Sequence, residues 1–137
     1  MALRIVNGEP ILMNRARRGF TLVELMVVMA IIALLLALAL PRYFNHLETS
    51  RETILKQDLA VMRDAIDKYH GDRDRYPDSL GELVDRRYLR SLPVDPITDR
   101  ADSWVAVAPP SGEAGNVYDI RSGAPGTARD GSAYADW

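Results

Sequence analysis

Cysteine is absent from the 137 residues. That excludes disulfide staples, thiolate metal sites, iron–sulfur clusters and a cysteine nucleophile. Histidine is almost as scarce, with His46 and His70 each standing alone. No Walker loop, Gly-x-Ser-x-Gly elbow or His-Glu-x-x-His pair occurs, so the hydrolytic and nucleotide-dependent chemistries those motifs serve have no residues to work with. An enzyme is not expected. A third scarcity is local. Across residues 20–40, Glu24 is the sole ionisable side chain, Thr21 the sole hydroxyl, and neither glycine nor proline appears.

That stretch is hidden by averages of 47% hydrophobic and 26% charged residues, which would suit an ordinary soluble protein of one domain. Without helix breakers and rich in Leu, Ala, Ile, Met and Val, residues 20–40 are expected to be helical. At a rise of about 1.5 Å per residue they reach about 31 Å, close to the thickness of a bilayer's hydrocarbon core. Apolar residues occupy the whole circumference, so lipid or other copies of the same helix must cover it. A secretory signal is the competing reading, but its apolar region is typically about 7–15 residues and ends at a small-x-small site, which Leu38-Ala39-Leu40-Pro41 lacks. Arg15, Arg17 and Arg18 precede the run and place that end in the cytoplasm by the positive-inside rule, sending the C-terminal body across the membrane.

Charge divides the chain further. The first 19 residues hold Arg4, Arg15, Arg17 and Arg18 against Glu9, whereas the rest carries 13 basic and 18 acidic side chains. A nucleic acid partner is thereby disfavoured, since the basic cluster abuts an apolar segment and the body is mildly acidic. The chain has four parts: 1–19, a leader; 20–40, a transmembrane and assembly half-helix; 41–71, an amphipathic half-helix; and 72–137, a small head. Pro41 removes one backbone donor and is expected to bend or loosen the helix. Downstream, Phe44, Leu47, Leu55, Leu59, Met62, Ile66 and Tyr69 form an apolar stripe. Gly71 is expected to cap the helix end. Ser79-Leu80-Gly81-Glu82 has capping-box spacing for a short helix through about Tyr88. Leu92-Pro93-Val94-Asp95-Pro96 reads as an extended link, and residues 103–108 and 117–121 as two antiparallel strands joined by a Pro- and Gly-rich loop. The fold class is α+β: a long N-terminal helix packed on a small antiparallel sheet, with a long C-terminal loop.

Glu24 calls for a partner, because an ionised acid deep in a bilayer costs about 2.5–3.5 kcal/mol on insertion scales; the alternative is an interfacial acid that snorkels to the membrane surface. The nearest positive groups are the leader arginines, or a free amine if the chain is cut before Phe20. The segment Arg17-Arg18-Gly19-Phe20-Thr21-Leu22-Val23-Glu24-Leu25 resembles the class III signal of type IV pilins and type II secretion pseudopilins. The resemblance implies that prepilin peptidase cuts after Gly19 and methylates the Phe20 amine, and that Glu24, fifth from the new terminus, pairs with that amine on a neighbouring subunit. A start at Met13 would leave the chain after the cut unchanged. Tyr76-Pro77, Leu80, Leu83, Tyr88-Leu89, Leu92-Pro93-x-Asp95-Pro96, Tyr118-Asp119 and Ser122-Gly123 are most similar to the major, G-type pseudopilin, and the lack of cysteine agrees, many pilins closing their C-terminal loop with a disulfide.

The resemblance implies a structural subunit of the bacterial inner membrane, single-pass, with a cytoplasmic N-terminus and a periplasmic head. Its partners would be copies of itself, other pseudopilins, the inner-membrane assembly platform and the peptidase, and the polymer would be a periplasmic pseudopilus driving protein secretion. A type IV pilus or competence pilin, and a membrane-anchored periplasmic binding domain that never polymerises, are the alternatives. Major pseudopilins also hold the C-terminal loop with calcium, which takes about six to eight oxygens. Here residues 122–137 offer only Asp130 and Asp136 as carboxylates, with Pro125 and neutral residues where the family has acids. The alternative is that Asp130 and Asp136 cap turns while Tyr134 and Trp137 pack the loop down.

Overall fold

A computed structural model describes residues 19–137, so the leader arginines, Glu9 and Met13 lie outside the described residues. Helix α1 runs Leu22–Arg73 and contains Pro41. Two compact units divide the chain, one ending at Ala39 and the other running Leu40–Trp137.

In the first unit the helix buries nothing. Its most apolar window has a mean hydropathy of 2.9, and it is long and apolar enough to cross a membrane. No head residue is needed to make it helical, since the run lacks glycine and proline and Leu and Ala dominate it.

The second unit is built on one stripe of α1. Leu55, Leu59, Met62, Ala65, Ile66 and Tyr69 are buried, at the three- and four-residue spacing that lines one helix face. Phe44 and Leu47, expected to begin that stripe, are exposed instead, because the core that covers α1 starts at Leu55. Against the stripe pack Tyr76, Leu83, Leu89, Trp104, Val117 and Ile120. The helix also outlasts Gly71, which lies inside it. Asp74, at φ 52°, makes the left-handed turn that ends it, its N–H donating to the His70 carbonyl.

Helix α2, Leu80–Asp85, is capped by Ser79, whose Oγ accepts from Glu82 N. The Glu82 carboxylate reaches back to Asp78 N at 2.8 Å and accepts the Tyr69 hydroxyl at 2.6 Å, so the cap is tied to α1. The helix stops short of the expected Tyr88 because Arg87 turns left-handed, at φ 64°. Strands β1, Val105–Val107, and β2, Asp119–Arg121, pair antiparallel with Ala106 opposite Ile120. They are shorter than the alternation predicts. Arg63 fastens β2 to α1, with Nε on Asp119 Oδ1 at 2.8 Å and Nη2 on the Ile120 carbonyl at 2.9 Å.

The link around Asp95 is more than an extended connection. Asp95 is fully buried, and its carboxylate accepts from Ile97 N, Thr98 N and Ser122 Oγ, at 2.8, 3.3 and 2.7 Å. A buried carboxylate survives only when its lone pairs are met in this way. Ser122 then receives Ala124 N, and Gly123 lies so close to Ser103 that a Cβ there would sit 2.0 Å from the Ser103 carbonyl oxygen.

Candidate functional site

Three of the sequence-predicted site residues meet at the start of α1. Gly19 and Phe20 precede the helix in irregular backbone, and Phe20 is 90% exposed. Thr21 is the N-cap. Thr21 N donates to Glu24 Oε2 at 2.7 Å and Glu24 N donates to Thr21 Oγ1 at 3.1 Å, the reciprocal pair of a capping box. Glu24 therefore has a local partner, and that partner is neutral rather than the positive charge its apolar surroundings call for. The Thr-x-x-Glu spacing is the signal for it. Only Oε2 is used by this bond, which leaves Oε1 without a hydrogen bond among the described residues. The arrangement holds one carboxylate oxygen to its own helix end and leaves the other open to a further donor.

Around this terminus the helix surface is uninterrupted hydrocarbon. Leu22, Val23, Leu25, Met26 and their successors through Leu40 are about half exposed or more. Such a continuous apolar surface is far larger than the patches a soluble monomer leaves bare.

The other two predicted residues, Asp130 and Asp136, belong to the C-terminal loop and are both exposed. Asp130 Oδ1 accepts from Ser132 N and Ser132 Oγ, at 2.9 and 2.5 Å, and these bonds, the hydroxyl first, hold its pKa below the usual carboxylate value. Asp136 sits in the terminal 3-10 turn, Tyr134–Asp136. The carbonyls of Gly126, Ala128, Ser132, Ala133 and Tyr134 each accept a backbone N–H, which fixes their directions within the loop's own turns. Among the described residues no three His, Asp or Glu side chains come together. The carboxylates present supply fewer oxygens than the roughly six to eight calcium takes, so such an ion would depend on backbone carbonyls for most of its shell.

The loop is held down by contacts that sequence reasoning missed. Arg129 Nη1 donates to the Asn45 carbonyl at 3.2 Å and to Thr49 Oγ1, while Arg129 N donates to Glu52 Oε1 at 3.0 Å. The Tyr134 hydroxyl donates to the same Glu52 oxygen at 3.1 Å, and burial, followed by that bond, pushes the Tyr134 pKa up. Trp137 packs edge-on against Tyr134, donates Nε1 to Ser132 Oγ at 2.7 Å and lies under Lys56 Nζ. Nothing in the local sequence announces contacts spanning some eighty residues. Of the two histidines, His70 stacks on Tyr76 at 4.2 Å and has Nε2 3.8 Å from a Glu113 oxygen, and His46 is exposed.

Residues 14–40 match the family model described as the prokaryotic N-terminal methylation motif. Among curated proteins, the type II secretion system core protein G of Escherichia coli K12 is 32% identical over 125 residues, covering 80% of this chain and 82% of that one. The core protein G of Pseudomonas aeruginosa is 33% identical over 99 residues, 61% of this chain and 70% of that one. The type IV major pilin PilA of Myxococcus xanthus is 37% identical over 70 residues, 51% of this chain, but the match spans only 32% of that longer protein. No solved structure matches the chain.

Proposed function

Since the chain belongs to the type II secretion system core protein G family, within the pilin-like superfamily, we propose that it is a structural pseudopilin subunit that polymerises through α1 into a periplasmic pseudopilus driving protein secretion. Similarity to core protein G over most of both chains is the observation that carries this reading. Prepilin peptidase cuts between Gly19 and Phe20 and methylates the new amine. Before assembly the apolar half of α1 spans the inner membrane with the head in the periplasm, in the orientation that the arginines ahead of it favour. Moving from lipid into a bundle of like helices exchanges one apolar cover for another, so the transfer has little hydrophobic driving force of its own.

Register must then come from polar groups. Glu24 supplies one: with Oε2 on its own Thr21, Oε1 accepts the methylated Phe20 amine of a neighbouring subunit. Glu24→Ala should leave cleavage intact and abolish filaments, and Glu24→Gln, which keeps an acceptor but no charge, should retain a fraction of assembly. Filaments of normal number and length from Glu24→Ala would overturn the pairing. Deleting the gene tests the larger reading. Secreted proteins should accumulate in the periplasm, and full-length protein should restore export.

A second reading, a type IV pilus or competence subunit, is favoured by the identity to the Myxococcus major pilin. Loss of surface fibres with export intact would select it. A monomeric anchored binding domain would give no filaments on overexpression.

A further inference from the structure

We infer that this chain closes its C-terminal loop with a cation of its own, the Arg129 guanidinium, and that closure is independent of calcium. The loop first folds on itself. Thr127 and Ala133 form an antiparallel bridge, Ala128 N donates to the Ser132 carbonyl at 2.7 Å, and Gly126 and Gly131 take positive φ values of 94° and 86° that other residues adopt with strain. Asp130 Oδ1 completes the turn through Ser132 N and Ser132 Oγ.

The closed loop then lands on a matched seam of α1. Asn45, Thr49, Glu52 and Lys56 are spaced i, i+4, i+7 and i+11, which puts them in one row on the helix surface. Arg129 spans the first three, Tyr134 adds a second donor to Glu52, and Lys56 caps the Trp137 ring at 4.4 Å. Between loop and helix lies an open cleft of about 280 Å³ lined by Glu48, Glu52, Arg51 and Arg129 among others. Two acids face two arginines there, so the cleft has no charge deficit for a divalent ion to fill. A metal site gathers carboxylates around a mobile cation. Here the positive charge is covalently part of the loop and lands on two neutral oxygens of the helix, the Asn45 carbonyl and Thr49 Oγ1, while Glu52 accepts the Arg129 N–H and the Tyr134 hydroxyl.

The test uses the full-length protein in detergent, followed by amide hydrogen exchange of residues 122–137 and by thermal melting, with chelator and with millimolar calcium chloride. The account predicts unchanged melting and loop exchange between the two conditions. It predicts that Arg129→Ala speeds exchange at residues 126–134 roughly tenfold, that calcium does not reverse this, and that Arg129→Lys, whose one ammonium can give both bonds that Nη1 gives, recovers part of the protection. The double variant Asp130→Asn, Asp136→Asn keeps an Oδ1 acceptor for Ser132, and its melting and loop exchange should be as indifferent to calcium as those of the wild type. Destabilisation by chelator that calcium repairs would overturn the proposal. So would wild-type loop exchange in Arg129→Ala. Neither readout depends on assembly, so the result stands apart from the proposed function.

Discussion

The two stretches of α1 are equally helical and opposite in what they bury. Through residue 40 the helix is apolar on every side and none of it is buried, whereas Leu55–Tyr69 carries one apolar stripe and buries six residues of it. Hydrophobic content and burial are therefore separate properties. A stripe can be satisfied by one small head, because its other faces hold Lys56, Asp64, Asp67 and Lys68 in water. An all-round apolar surface has no such solution within one subunit. Its partner must be lipid or other subunits, and the head can fold whichever of the two is present.

Breaking the stripe should have the largest effect. Leu59→Ala removes a buried side chain at an expected cost of about 2–5 kcal/mol, enough to unfold much of a marginally stable head. Leu34→Ala, where Leu34 is 62% exposed, should shift melting by less than about 0.5 kcal/mol and show itself only in filament yield. Equal melting losses in near-ultraviolet circular dichroism would collapse the distinction.

Next comes Gly123→Ala, which forces a Cβ against the Ser103 carbonyl and should cost about 1–3 kcal/mol by overpacking, read from the same melts. The Tyr69–Glu82 bond probes how the stripe is sealed at its end. The Tyr69 hydroxyl, then the Asp78 N–H, hold the Glu82 pKa below its usual value. Its contribution is present above the ordinary carboxylate range and is lost as pH falls through the lowered value. Tyr69 is shifted upward by the same bond, followed by burial, so its contribution is present below about pH 10 and is lost as pH rises. Tyr69→Phe should destabilise by about 1–3 kcal/mol at neutral pH and flatten both limbs of the stability–pH curve. Unaltered limbs would show that other groups set them. The smallest change expected in the head's stability has the opposite sign. Gly71 lies inside α1 with open space where a Cβ would go, so Gly71→Ala should stabilise by about 0.5–1 kcal/mol. A loss of stability there would restore Gly71 to the helix-ending role that its place in the chain suggests.

Much of the fold is legible in the sequence because it is local. Residues 20–40 lack breakers and charges, Ser79 and Glu82 stand at capping-box spacing, and alternation around Ala106 and Ile120 marks the two strands. The Thr21–Glu24 box has the same spacing as Ser79–Glu82, yet within an apolar run a carboxylate reads first as a charge in need of a counter-ion. Asp95 is harder. Its burial depends on Ser122, which folding brings to it from 27 residues away. The Arg129 clamp is out of reach for the same reason, since an arginine in a polar loop looks solvated until the helix face opposite it is known. The helix ends at Arg73 and Asp85 differ from those expected because Asp74 and Arg87 take left-handed conformations usually reserved for glycine or asparagine.

The mass of the native N-terminus tests most directly whether the bare apolar half is a retained assembly surface. Protein purified from membranes should begin at N-methylated Phe20 and keep all of residues 20–40. A chain that still carries residues 1–19, or one that begins beyond Leu40 after removal of the apolar run, would contradict the account.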